Sequence, residues 1–288
     1  MVRDYAIQVS DRRLTRAGKL EDDETNKAVL FCNRFCFAYT GLGFIGVTPT
    51  DEWLTKALVN AKTQSLSEAT RSLAQQATDA FRKIGWSRAQ KRHAFVGVGW
   101  AQLRNEAFLS PIICSVSNAH NADGVWLDKA RDEFTVFHRL WSEKPIFDVI
   151  ATGQSLQSQE LKFLRRNLRR CFDHKTGPEL ISEYLIHQIR RIAEESDLVG
   201  KSLMVVCLPK QSVLTSSMFL TNLAPGSQKT MKDVQSFYYL PDGEDDRVRF
   251  GPDTACAGQG LTNVQLEKLN ESGSDASIQV KIVLPDKK

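Results

Sequence analysis

The chain has 288 residues, 42% of them hydrophobic, and a net charge of +4 from 38 basic and 34 acidic side chains. That length allows one large domain, or a domain with a substantial appendage. The charge is too mild to imply nucleic acid, and no apolar run nears the ~20 residues of a membrane helix. The opening MVRDYAIQVSDRR is charged throughout and lacks an apolar signal region, so the sequence predicts a cytoplasmic protein.

Tyr5, Ile7 and Val9 alternate, a strand signal. KAVLF and FCFAYT flank Asn33-Arg34, which reads as a tight hairpin connection. Thr50 suits an N-cap, and Asp51 and Glu52 favour the positive end of the helix DEWLTKALVNA. A second amphipathic helix carries Leu66, Ala69, Leu73, Ala77, Ala80 and Ile84 on one stripe. HAFVGVGW, PIICSVSN, FTVFHRLW and FDVIATG read as strands. Helices are predicted over 156–171 and 178–194, and LMVVCLP as a buried strand. Beyond about residue 211 the chain is rich in Ser, Thr, Gly and Asp, and it ends on the alternating run SIQVKIVLP.

Two motifs invite nucleotide readings that their surroundings oppose. Gly41, Gly43 and Gly46 spell G-x-G-x-x-G. A dinucleotide site needs a helix opening within the glycines and a parallel strand soon after. Here Val47, Thr48 and Pro49 intervene, and residues 51–84 read as two successive helices, which leaves a dinucleotide-binding protein a remote alternative. Gly200-Lys201-Ser202 follows a helix, and Glu195 stands where a phosphate loop needs glycine.

Six cysteines form no C-x-x-C pair, which predicts buried reduced thiols and no metal site. Cys32 and Cys36, four apart on a predicted strand, should share a face. Around 161–170, Leu161, Leu164 and Leu168 make one helical face; Lys162, Arg165, Arg166, Arg169 and Arg170 fall on the other, as a solvated surface or subunit contact.

The strand AIQVSDRRLT, the hairpin NKAVLFCNRFCFAYTG and the paired helices after it together resemble N-terminal nucleophile hydrolases of the proteasome β-subunit type. Asp11 and Arg13 stand in SDRR, Lys27 lies sixteen residues beyond Asp11, and Gly41 fourteen beyond Lys27, the family's ungapped intervals. Later segments match in order rather than detail. FDVIATGQSL looks like the strand before the family's serine-glycine turn, and ISEYLIHQIRRIAEESD like the helix before its last acid and serine. Coverage is roughly residues 2–208.

The resemblance implies an α+β fold: a four-layer αββα sandwich with two antiparallel sheets over 1–210. Residues 211–288 exceed its cover and form a C-terminal extension that either adds strands to the same domain or caps its open end. It also implies threonine-type hydrolysis of peptide or amide bonds, without a cofactor or metal, in a homo-oligomer. In the family an N-terminal threonine hydroxyl attacks, its own α-amine acts as base, and a lysine ammonium eases formation of the alkoxide. Matched residue by residue, Lys27 is that ammonium, Asp11 its carboxylate partner and Gly41 the oxyanion donor. Arg13 is a neighbouring structural charge; Asp197, Ser202 and Ser155 match the supporting acid and serines. Read without the resemblance, Asp11 and Lys27 make an ordinary ion pair on exposed strands. Phe44, Ile45 and Val47 line a substrate pocket or belong to the core. The nucleophile's place falls about six residues before Met1. Removing Met1 would expose Val2, which has no hydroxyl, so this chain is expected to be inactive as it stands. Either a longer start supplies the hydroxyl, or the chain is a non-catalytic homologue serving assembly or binding.

Overall fold

The computed structural model describes residues 5–16, 19–22, 25–85, 87, 90–102, 109–140, 148–153, 158–210, 236–240, 248–250, 252–267 and 277–286. In chain order the elements are β1 (Tyr5–Asp11), β2 (Leu14–Arg16), β3 (Lys19–Asp22), β4 (Val29–Phe31), β5 (Phe35–Thr40), β6 (Phe44–Ile45), β7 (Thr48–Pro49), α1 (Thr50–Asn60) and α2 (Leu66–Arg82). Next come β8 (Ala94–Gln102), β9 (Leu109–Ser117), β10 (Thr135–Leu140), α3 (Ser158–Asp173), α4 (Pro178–Glu195) and β11 (Leu203–Pro209). The rest are β12 (Ser236–Leu240), β13 (Val248–Phe250), β14 (Asp253–Cys256), β15 (Gln259–Glu267) and β16 (Ser277–Val283).

The fold is mixed α+β. The large sheet runs β10-β9-β8-β5-β4-β14-β15-β13, with β16 on β15; a smaller sheet runs β1-β11-β12. Two short hairpins, β2-β3 and β6-β7, stand apart. The small sheet is antiparallel, but the large one is mixed: β14 lies parallel to β4, with Asp253 opposite Val29 and Ala255 opposite Phe31. This corrects the expectation of two antiparallel sheets. A strand returning from late in the chain has no hairpin to fix its direction.

Period-two alternation explains how the sheets are covered. Val29, Phe31, Phe35, Phe37 and Tyr39 point to one face of the large sheet and pack with Leu54, Leu58, Leu73 and Ala77 of α1 and α2. Their neighbours Leu30 and Cys36 point the other way, joining Ala6 of β1 and Met204, Val206 and Leu208 of β11. Trp100 is buried among these and donates Nε1–H to Leu208 O at 2.8 Å, a direct link between the sheets. On the far face of the small sheet, Tyr5 and Cys207 meet Leu164, Leu168 and Ile181 of α3 and α4. The basic residues of α3 are exposed, as their spacing predicts. Among the described residues no helix is long and apolar enough to cross a membrane.

Several local expectations need correction. Thr50 is the first helical residue and Pro49 precedes it as the cap; Thr50 Oγ1 instead donates to Leu42 O at 2.7 Å. Ser65 caps α2 by accepting from Glu68 N–H at 3.4 Å. Cys32 lies in the β4–β5 turn at φ 48° and forms a disulfide with Cys256, so it neither shares a strand face with Cys36 nor stays a thiol. Cys36, Cys114, Cys171 and Cys207 are free thiols, the second a buried part of the α1–α2 core. Residues 148–153 of FDVIATG form no strand; Phe147 lies outside the described residues.

Candidate functional site

Asp11 ends β1, and Lys27 lies just before β4. Lys27 Nζ donates to Asp11 Oδ1 at 2.9 Å. The same oxygen accepts the Arg13 N–H at 3.0 Å and the Gly200 N–H at 3.3 Å. Three donors, one of them charged, therefore fix the carboxylate. The side chains of Lys27 and Asp11 are 13% and 23% exposed, enough for both to reach solvent.

The residues 197–202 come to this place through their backbone. Arg13 Nη1 donates to Asp197 O at 3.2 Å, and Arg12 N–H to Ser202 O at 3.0 Å. Asp197 is exposed and its carbonyl makes this contact, while Ser202 is buried. Gly200, whose amide meets Asp11, was legible in sequence only as part of the discounted Gly-Lys-Ser motif. Ser155 lies outside the described residues.

Gly41 follows β5 at φ +114°, a conformation that favours glycine. A Cβ there would collide with Arg92 O and would stand 2.7 Å from His93 Nδ1. The turn is held from both sides. Leu42 N–H donates to His93 Nδ1 at 3.0 Å, and Thr50 N–H donates to Gly43 O at 2.9 Å. His93 is fully buried against Phe81 and Phe95, and burial pushes its pKa down to about 3. It is thus neutral; because Nδ1 accepts, the proton sits on Nε2. No sequence pattern marked His93, since its role arises from contact across the fold. Strand β5 pairs antiparallel with both β4 and β8, unlike the parallel unit that precedes a dinucleotide.

Asp11, Lys27 and Gly41 line one cavity of about 500 Å³, within the usual range for small-molecule sites. Ile7, Val9, Leu164, Leu168, Ile181 and Leu185 form its apolar walls. Gly153 reaches it at φ +104°, beside the Thr40 side chain. Phe44, Ile45 and Val47 do not line it: Ile45 joins the α1–α2 core and Val47 is 95% exposed.

Tyr39, on the cavity wall, is buried in the field of three further buried polar residues, Arg12, Asp51 and Asp253. Burial raises the Tyr39 phenol well above its ordinary value; the Asp51, Asp253 and Asp11 carboxylates add to this and Arg12 opposes it. Burial also raises Asp51 to about 6. Among the described residues no cluster of His, Cys, Asp and Glu has the form of a metal site. No protein-family model and no curated protein matches the chain.

Proposed function

We propose that this chain is a proteasome-β-like N-terminal nucleophile hydrolase homologue, built in four αββα layers, that acts on peptide or amide bonds where its N-terminus carries the attacking hydroxyl. The observation that carries the reading is the Lys27–Asp11 pair at 2.9 Å on the same cavity as Gly41. The three apolar clusters fit the four layers, with one between the sheets and one under each helix pair.

The chemistry assigns each group a task. A hydroxyl on an N-terminal Thr or Ser, preceding β1, attacks the substrate carbonyl carbon. Its proton passes to the α-amine, which accepts protons near neutral pH. The Lys27 ammonium lowers the cost of the developing alkoxide, and Asp11 holds Lys27 in place. Gly41 N–H donates to the oxyanion, an effect worth on the order of 3 kcal/mol per donor. The amine then gives its proton to the leaving nitrogen, and water hydrolyses the acyl ester.

Mass spectrometry of the natively produced N-terminus, paired with fluorogenic peptide and amide assays, tests this. Turnover that disappears in Lys27→Ala supports it. A mature chain with an N-terminal Thr, Ser or Cys and no turnover sinks it in favour of a binding or assembly homologue. Copies of the chain are proposed to stack through the exposed basic face of α3, and a monomer mass by light scattering at all concentrations refutes that. A cytoplasmic location would reduce the Cys32–Cys256 disulfide to thiols, and a thiol count on freshly isolated protein decides.

A further inference from the structure

Both chain neighbours of Lys27 are tied to one residue from late in the sequence. Asp253, fully buried, opens β14. Asn26 Nδ2 donates to Asp253 Oδ1 at 2.9 Å, and the Asp253 N–H donates to Ala28 O at 3.0 Å. The Ala28 N–H closes the ring onto Asn26 Oδ1 at 3.2 Å. Lys27 sits at the middle of this ring, and its side chain leaves it for Asp11. The second Asp253 oxygen accepts from Thr55 Oγ1 of α1 at 3.4 Å. Strand β14 is itself anchored by parallel pairing to β4, by Cys32 N–H donating to Ala255 O at 2.9 Å, and by the Cys32–Cys256 disulfide.

We propose that Asp253 is a positioning residue for Lys27: it clamps residues 26–28 so that the ammonium meets Asp11 at the cavity. This rests on the reading of Lys27 as the activating ammonium. The bonds are buried, so freeing either partner leaves a polar group without water, and the clamp resists flexing. An ordinary anchoring role for β14 predicts something different: removing Asp253 would then lower stability and leave Lys27 unchanged.

The test reads Lys27 directly in the full chain. Its acylation by an amine-reactive ester is followed peptide by peptide by mass spectrometry, and melting is recorded alongside. Asp253→Ala is expected to raise the Lys27 labelling rate roughly fivefold, with surface Lys56 unchanged. Asp253→Asn keeps an acceptor for Asn26 and should stay near the wild-type rate. A Lys27 rate in Asp253→Ala equal to wild type overturns the proposal, whatever happens to the melting temperature. If Asp253→Ala does not fold, Asn26→Ala removes the same ring from the other side and carries the same expected and overturning results. Turnover is measured in parallel. Its absence in a wild-type chain that begins with Thr, Ser or Cys refutes the hydrolase reading, while labelling still decides the clamp. Where turnover exists, kcat should fall in Asp253→Ala and recover in Asp253→Asn.

Discussion

The two helix pairs cover their sheets very differently. Under α1 and α2 the core is continuous and apolar, running from Val29 through Phe37 and Leu58 to Ala255. Under α3 and α4 a few side chains meet β1 and β11, and the same helices wall a cavity of about 500 Å³. Apolar burial on the first side supplies stability that the second side does not need to provide. Room for a ligand is left where packing is thinnest, and the polar ends of β1 and β5 open onto it. Rigid support behind an open chamber is the division of labour this contrast teaches.

The largest effect expected is on chemistry. In a chain whose N-terminus carries the hydroxyl, Lys27→Ala should cut kcat/KM by about a thousandfold or more, about 4 kcal/mol of barrier, while unfolding shifts little because the pair is partly exposed. An unchanged kcat/KM would remove the open side's functional claim. Packing comes next. Leu58→Ala, in the continuous core, should cost about 3–4 kcal/mol in denaturant unfolding; Leu168→Ala, beside the cavity, should cost about 2 kcal/mol or less. Equal costs would erase the contrast.

Two buried titrations then sharpen it. His93 has a pKa depressed to about 3, so only the unfolded chain takes up its proton below the ordinary value of 6.5. Its contribution is fully present above pH 6.5 and lost as pH falls, on the order of 3 kcal/mol by pH 4. His93→Gln should flatten that acid limb in unfolding titrations. Asp51 behaves oppositely: raised to about 6, the folded carboxyl holds a proton that the unfolded chain releases above its ordinary value of 3.8. Its favourable contribution is present at low pH and lost as pH rises through 6. Asp51→Asn should therefore stabilise by on the order of 2 kcal/mol at pH 8 and much less at pH 4. Between pH 3.8 and 6 the slopes oppose each other in the wild type, and each single variant should expose the other.

Much of the fold was legible because its signals are periodic. The α2 stripe from Leu66 to Ala80 faces the core as its spacing requires, with Ile84 packed on it just past the helix end, and Pro178 opens α4 where helix starts favour it. The β4–β5 hairpin also reads directly. FDVIATG did not, because alternation names a face and not a partner: Val149 touches the α3–α4 cluster, while Ile150 is 40% exposed. Asp11, Lys27 and Gly41 were found only as a spaced set matched to a family. His93 and Asp253 carried no signal at all, and Gly200 only that of the discounted Gly-Lys-Ser motif, since each reaches the site through contacts made only after folding.

The parallel pairing of β14 with β4 has a consequence for synthesis. Residues 29–31 leave the ribosome early, and the strand that completes their flank is among the last to appear. Until then the nascent hairpin carries an open edge, a template for pairing with other chains. Nascent chains halted before residue 253 should therefore self-associate or recruit chaperones, and translation past that point should release them.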